Sequence, residues 1–189
     1  TARAHYAGGS YVESIAAFSD FQRMHPTSQD LPAVEYSIGQ AYLDQASTTD
    51  RDLAAASNAS RRFESVIDRF PEDPHAIESA RKLHQSREFL ADRELYVAKF
   101  YYRRGRLAAA RVRMAQLVAR YPETQAAGEA MERIAEDGKD TDDPALTKLA
   151  EDAQAENARM RESLPPVVTT VDPSRQVGSK WFSWLPDWK

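Results

Sequence analysis

The chain contains no cysteine. That excludes a disulfide framework and any thiolate-bound metal. Its seven glycines are scattered through 189 residues, and none builds a phosphate-cradling loop or a G-x-S-x-G nucleophile elbow. The four histidines, His5, His25, His75 and His84, form neither an HExxH motif nor any two-ligand helical spacing. Asp140, Asp142 and Asp143 begin like a calcium loop but lack its sixth-position glycine and closing glutamate. No apolar run approaches the roughly 18 residues of a membrane-spanning helix. Basic side chains are outnumbered, 25 to 29, leaving a net charge of −4, which argues against nucleic acid as a partner. These absences remove the usual signatures of an enzyme and of a cofactor. What remains is 29% charged and 10% aromatic, the composition of a folded chain rather than a disordered one.

The clearest pattern lies in residues 90–122. Leu95, Ala98, Tyr101 and Tyr102 make one helical stripe. Leu107, Ala110, Met114, Leu117, Val118 and Tyr121 make a second, with charge elsewhere around each helix. Gly105 between them suits the left-handed residue that ends a helix, and Pro122 cannot continue the second one. The spacing predicts an antiparallel helical hairpin of the tetratricopeptide type, a 34-residue unit. With Pro122 at repeat position 32, Ala98 takes position 8, Tyr101 position 11, Ala110 position 20 and Met114 position 24.

The same rule finds two further repeats. Pro26 at position 32 puts Phe18 at 24, Ser14 at 20, Gly9 at the turn and Ala2 at position 8. The first helix of that repeat starts part-way through, so the natural polypeptide is expected to continue upstream. Pro71 at position 32 puts Phe63 at 24 and Ala59 at 20, with Gly39 and Tyr42 on a first helix over residues 32–46. That repeat is about eight residues too long for the unit, and the polar stretch 47–53 is expected to form a loop holding the excess. Residues 74–90 read as extra helix with Ile77, Ala80, Leu83, Arg87 and Leu90 on one side. Without a glycine or proline to stop it, a single helix from about 75 to 104 is expected, on the order of 45 Å long. Phe18, Phe21, Tyr36, Tyr42, Phe63 and Tyr101 are expected in the core.

Beyond Pro122, residues 126–135 read as helix, with a break at Gly138 and Pro144. A charged helix follows over 145–164, with Leu146, Leu149, Ala153 and Met160 as its apolar positions. The expected organisation is all-α: a tetratricopeptide superhelix over 1–164, with repeats ending near Pro26, Pro71 and Pro122 and a C-terminal helical cap. An extended tail over 165–189 then holds Trp181, Phe182, Trp184 and Trp188, and with them every tryptophan of the chain. These aromatics suit docking on the array itself, on a partner, or at a membrane interface.

Local motifs go further than repeat spacing. The run LADRELYVAKFYYRRGRLAAARVR (residues 90–113) resembles the outer-membrane assembly lipoproteins of the BamD type, where an LAxxE…VAxxYxxRG…AAxxR pattern spans the same junction. The loop Asp50, Arg51, Asp52 resembles the insertion loop of that family, and Arg120-Tyr121-Pro122-Glu123-Thr124 is similar to its counterpart. The resemblance covers roughly residues 1–135. It implies a non-catalytic scaffold at the periplasmic face of the outer membrane, held by a lipid on an N-terminal cysteine that this chain does not contain. Its partners would be a BamA-like β-barrel insertase, bound through POTRA domains, other assembly-machine subunits and unfolded outer-membrane proteins. The C-terminal repeats would hold the insertase and the N-terminal ones would face substrate.

Within that resemblance, Arg113 corresponds to the insertase-contacting arginine of AAxxR, and Arg104 to the arginine before the turn glycine. Arg106, Arg113 and Arg120 recur every seven residues and form a basic stripe on the second helix. Such a stripe is ordinarily a solvated helix flank; the family match reverses that reading for Arg113 alone, whose planar fork suits a carboxylate. Asp50, Arg51 and Asp52 suit either internal ion pairs or a partner. Two other functions fit a helical array: another periplasmic scaffold, in envelope synthesis or secretin assembly, and a generic peptide-binding adaptor.

Overall fold

The computed structural model describes residues 1–48, 53–140 and 144–163. Among the described residues there are eight helices and no strand: α1 (Ala2–Ala7), α2 (Tyr11–Met24), α3 (Leu31–Thr48), α4 (Leu53–Arg69), α5 (Pro74–Arg103), α6 (Leu107–Arg120), α7 (Gln125–Asp140) and α8 (Pro144–Ser163). They fall into two compact units, residues 1–87 and residues 88 onward, with the boundary inside α5.

Two turns are made the same way. Gly9 and Gly105 have φ of +75° and +69°, a region that favours glycine. Gly9 N–H donates to Tyr6 O and Ser10 N–H to His5 O; Gly105 N–H donates to Tyr102 O and Arg106 N–H to Tyr101 O. Each is a Schellman motif. The second helices also end alike. His25, Phe70 and Tyr121 each donate N–H to the carbonyl four residues back, and Ser28, Asp73 and Thr124 each donate N–H to the carbonyl three residues back, across the proline turn.

In the first unit, α1 packs on α2, α2 on α3 and α3 on α4. One core holds Ile15 and Phe18 of α2 with Val34, Ile38 and Ala41 of α3. A second holds Leu43, Ala59 and Phe63, with Tyr36, Tyr42 and Leu83 against it. The small residues at repeat position 20 (Ser14, Ala59 and Ala110) are fully buried, because the paired helices cross there. Ser14 Oγ donates across that crossing to Ala2 O at 3.1 Å. Glu35 of α3 is buried and ties three helices together. It accepts from Gln22 Nε2 of α2 at 2.6 Å and from Arg69 Nη1 of α4 at 2.5 Å, with Arg62 Nη1 at 3.6 Å.

The second unit is built on Ala91, Leu95 and Ala98 of α5, Ala110, Met114 and Leu117 of α6, Tyr121, and Ala126 and Ala130 of α7. Tyr101, Tyr102 and Val118 pack against this core, as the sequence spacing predicts. Helix α8 packs on α7.

Five details depart from the sequence reading. Ser47, Thr48 and Leu53 are helical, so α3 and α4 absorb part of the excess placed in a 47–53 loop. In the first half of α5 the buried residues are Ala76, Ser79 and Ser86, whereas Ile77 is exposed. For Ser86 the hydroxyl is satisfied: its Oγ lies 2.8 Å from Ser60 Oγ, where α4 and α5 approach closely; Ser79 Oγ is buried without a hydrogen-bond partner among the described residues. Helix α7 runs through Gly138 to Asp140. Leu107, at the start of its stripe, is 41% exposed. On α8 the buried positions are Ala150 and Asn157; the side chains of Leu146 and Leu149 lie outside what is described.

Candidate protein-interaction surface

The arginines of residues 104–120 sit on the α5–α6 hairpin in distinct environments. Arg106 is the exposed N-cap residue of α6, with no side-chain cap hydrogen bond. Arg113 is half-exposed and points toward α5, where its Nη1 lies 3.5 Å from Glu94 Oε2. Arg120 is in the last turn of α6, where a cation complements the helix dipole, and its guanidinium sits 5.5 Å from the Tyr121 ring centroid. Arg104 lies over Phe100 at 5.3 Å. The middle member of the heptad row, Arg113, faces a carboxylate on α5.

The outer face of α6 carries Ala108, Val112, Ala115 and Ala119, all exposed, with Val112 at 58%. These four follow i, i+4, i+7 and i+11, so they form a second apolar stripe turned away from the core. This exposed apolar row lies beside Arg113 and Arg120.

Three polar arrangements fix this hairpin in place. Buried Asp137 of α7 accepts from Tyr102 Oη at 3.1 Å, Arg111 Nε at 3.1 Å and Arg133 Nη2 at 3.0 Å. Arg133 also donates to Tyr102 Oη and lies 4.4 Å over the Tyr102 ring. Burial, followed by the Asp137 charge, holds the Tyr102 hydroxyl above its ordinary pKa. Glu88 of α5 accepts Gln125 N–H with both carboxylate oxygens, at 3.0 and 3.2 Å, placing negative charge at the N-terminus of α7. Asn157 Nδ2 of α8 donates to Pro122 O and, at 3.0 Å, to Thr124 O, so α8 holds the turn between α6 and α7.

Sequence reasoning missed Arg111, Asp137 and Asn157. A signal was present: Asp137 lies seven residues after Ala130 on the apolar stripe of α7, and Asn157 seven after Ala150 on α8. A lone polar residue on an apolar stripe points to a buried, satisfied group. Asp50, Arg51 and Asp52, and the tail residues Trp181, Phe182, Trp184 and Trp188, lie outside the described residues. Among the described residues no group of three or more metal-ligating side chains occurs, and no helix is long and apolar enough to cross a membrane.

Repeated hairpins that meet through small residues make a tetratricopeptide-type fold. Residues 1–154 match the family described as YfiO, outer membrane lipoprotein, and the chain belongs to that family. Among its curated relatives is the outer membrane protein assembly factor BamD of Caulobacter vibrioides, 27% identical over 136 residues, or 72% of this chain and 45% of the relative. The protein of the same name from Pasteurella multocida is 28% identical over 138 residues, covering 68% and 53%. That of Xylella fastidiosa is 27% identical over 168 residues, covering 84% and 55%. The chain thus spans about half the length of the curated relatives it matches.

Proposed function

We propose that this chain is a non-catalytic scaffold of outer-membrane β-barrel assembly. It would work at the periplasmic face of the outer membrane, held there by a lipid anchor, and its partner would be a BamA-like insertase engaged through POTRA domains. Its relatives carry the name of assembly factors, and its family is one of outer membrane lipoproteins. The observation that carries the contact is the α6 surface, where Arg113 and Arg120 stand beside the exposed row Ala108, Val112, Ala115 and Ala119. An arginine fork binds a carboxylate bidentately, and the apolar row supplies the area that excludes water around it.

The Arg113–Glu94 pair belongs to this reading. At 3.5 Å with both groups partly exposed, it contributes little stability. It holds the guanidinium in place while leaving it able to exchange one carboxylate for another. The array over 1–164 would present this surface and a helical cap at its C-terminal end, with unfolded barrel precursors at the N-terminal repeats. Co-purification from outer membranes tests the proposal. A POTRA-bearing barrel recovered with the wild type and lost with Arg113→Glu supports it; recovery of soluble or inner-membrane proteins alone overturns it.

A further inference from the structure

The protein is acidic as a whole, yet residues 95–122 contain seven basic side chains and no acidic one. Within the unit Lys99 pairs with Glu129, Arg111 with Asp137 and Arg113 with Glu94. The turn end of the hairpin is different. Arg103, Arg104 and Arg106 are all exposed, and none has a carboxylate within ion-pair distance among the described residues. Two large apolar side chains share that end, Phe100 at 43% and Leu107 at 41% exposure. Leu107 departs there from the buried stripe that its spacing predicts.

We infer that this hairpin tip, formed by Phe100, Arg103, Arg104, Arg106 and Leu107, is a docking surface for a phosphate-bearing lipid bilayer. The proposal rests on the membrane location proposed above. Charge complementarity selects the occupant: a cluster of cations with no acid in 28 successive residues meets a continuous field of phosphates. Basic side chains at such a surface each contribute about 1 kcal/mol. The exposed phenyl and isobutyl groups select a bilayer over a merely acidic protein. An aromatic and a leucine flanking arginines can enter the headgroup boundary while the guanidinium groups remain at phosphate level. Arg104 lies over Phe100 at 5.3 Å, which keeps the two side by side. The Schellman turn at Gly105 brings the end of α5 and the start of α6 to one point, so five residues spread over eight positions act as a single patch.

The test is co-sedimentation of the full chain with vesicles of phosphatidylcholine alone and of phosphatidylcholine with phosphatidylglycerol. Binding to the anionic vesicles is expected, weakening as salt is raised. Replacing Arg103, Arg104 and Arg106 together by Gln should lower that binding about a hundredfold, at roughly 1 kcal/mol per cation. Phe100→Ser with Leu107→Ser should lower it further at high salt, where the apolar part carries more of the affinity. These residues are exposed, so helicity and melting temperature should be unchanged. Binding that survives both sets of substitutions assigns the contact elsewhere in the chain and overturns the proposal. So does a wild type that ignores vesicles while the arginine variant loses a POTRA-bearing partner, because the tip is then a protein surface. Loss of vesicle binding with the partner retained supports the tip as a lipid contact, separate from Arg113.

Discussion

Phe63 lies so close to Gly39 that a Cβ built on the glycine would stand 2.8 Å from Phe63 Cε1. The two occupy repeat positions 24 and 8, one on each helix of a pair, and Phe63 is fully buried. The glycine is helical, so it is kept for this close approach and not for its backbone freedom. Alanine would gain about 1 kcal/mol of helix propensity, but overpacking a filled core costs about 1–3 kcal/mol. Gly39→Ala is expected to lower the melting temperature by a few degrees, and Gly39→Val by more. A rise in melting temperature for Gly39→Ala would show that the ring moves aside freely.

Asn157 makes a comparable contact at the other end. Its amide donates to two carbonyls of the α6–α7 turn, and its own Oδ1 stands 3.2 Å from where a Cβ on Gly128 would lie. Asn157→Leu leaves the Thr124 and Pro122 carbonyls without this donor, at a cost of about 1–3 kcal/mol. Hydrogen exchange should rise along α8 and around the turn, with α3 and α4 unaffected. Uniform protection identical to wild type would contradict this role.

Asp92 makes the second unit pH-sensitive. Burial, then the charges of Glu88 and Glu129, raise its carboxyl to about 7, with Lys99 acting in the opposite direction. The unfolded carboxyl titrates near 4. Between those values the folded chain binds the proton that the unfolded chain has released, so stability falls as pH rises from about 4 to about 7 and the loss is complete above that. Asp92→Asn is expected to raise the melting temperature at pH 8 by several degrees and to change it little at pH 4. An equal shift at both values would remove the titration as its cause.

Buried Asp137 collects a hydroxyl and two guanidinium groups from α5, α6 and α7. Asp137→Ala leaves Arg133 and Arg111 without their shared carboxylate, and breaking such a buried set costs about 3–5 kcal/mol. Asp137→Asn keeps the shape and acceptor but removes the charge, so it should cost less. Thermal melts of the two variants check the order; equal losses would mean that shape, not charge, matters.

The repeat frame was legible because a few residue types have one structural use each. Pro26, Pro71 and Pro122 end second helices, Gly9 and Gly105 turn between helices, and Ser14, Ala59 and Ala110 allow helices to cross. Their spacing carries the pairing with no knowledge of distant contacts. Three features were not legible for the opposite reason. Ser79 and Ser86 are polar by type but buried: both are small, and the Ser86 hydroxyl bonds to Leu83 O in its own helix and to Ser60. Leu107 is apolar but exposed, because nothing in the described residues covers the hairpin tip. Arg111 and Arg113 look equivalent in sequence, and what distinguishes them is the partner each meets: buried Asp137 and partly exposed Glu94, 26 and 19 residues away.

The most direct test of the central claim is a binding titration of the full-length protein against the purified POTRA region of the insertase. Removing one partner of a buried charge pair at an interface costs about 2–5 kcal/mol, or roughly thirtyfold or more in affinity. Arg113→Glu also sets two carboxylates together at Glu94, so Arg113→Gln should be measured beside it. The account predicts a loss of that size for both variants, with helicity unchanged and a smaller loss for Arg113→Lys, which keeps the charge but not the fork. Wild-type affinity in Arg113→Glu and Arg113→Gln would contradict the assignment of this hairpin as the insertase contact.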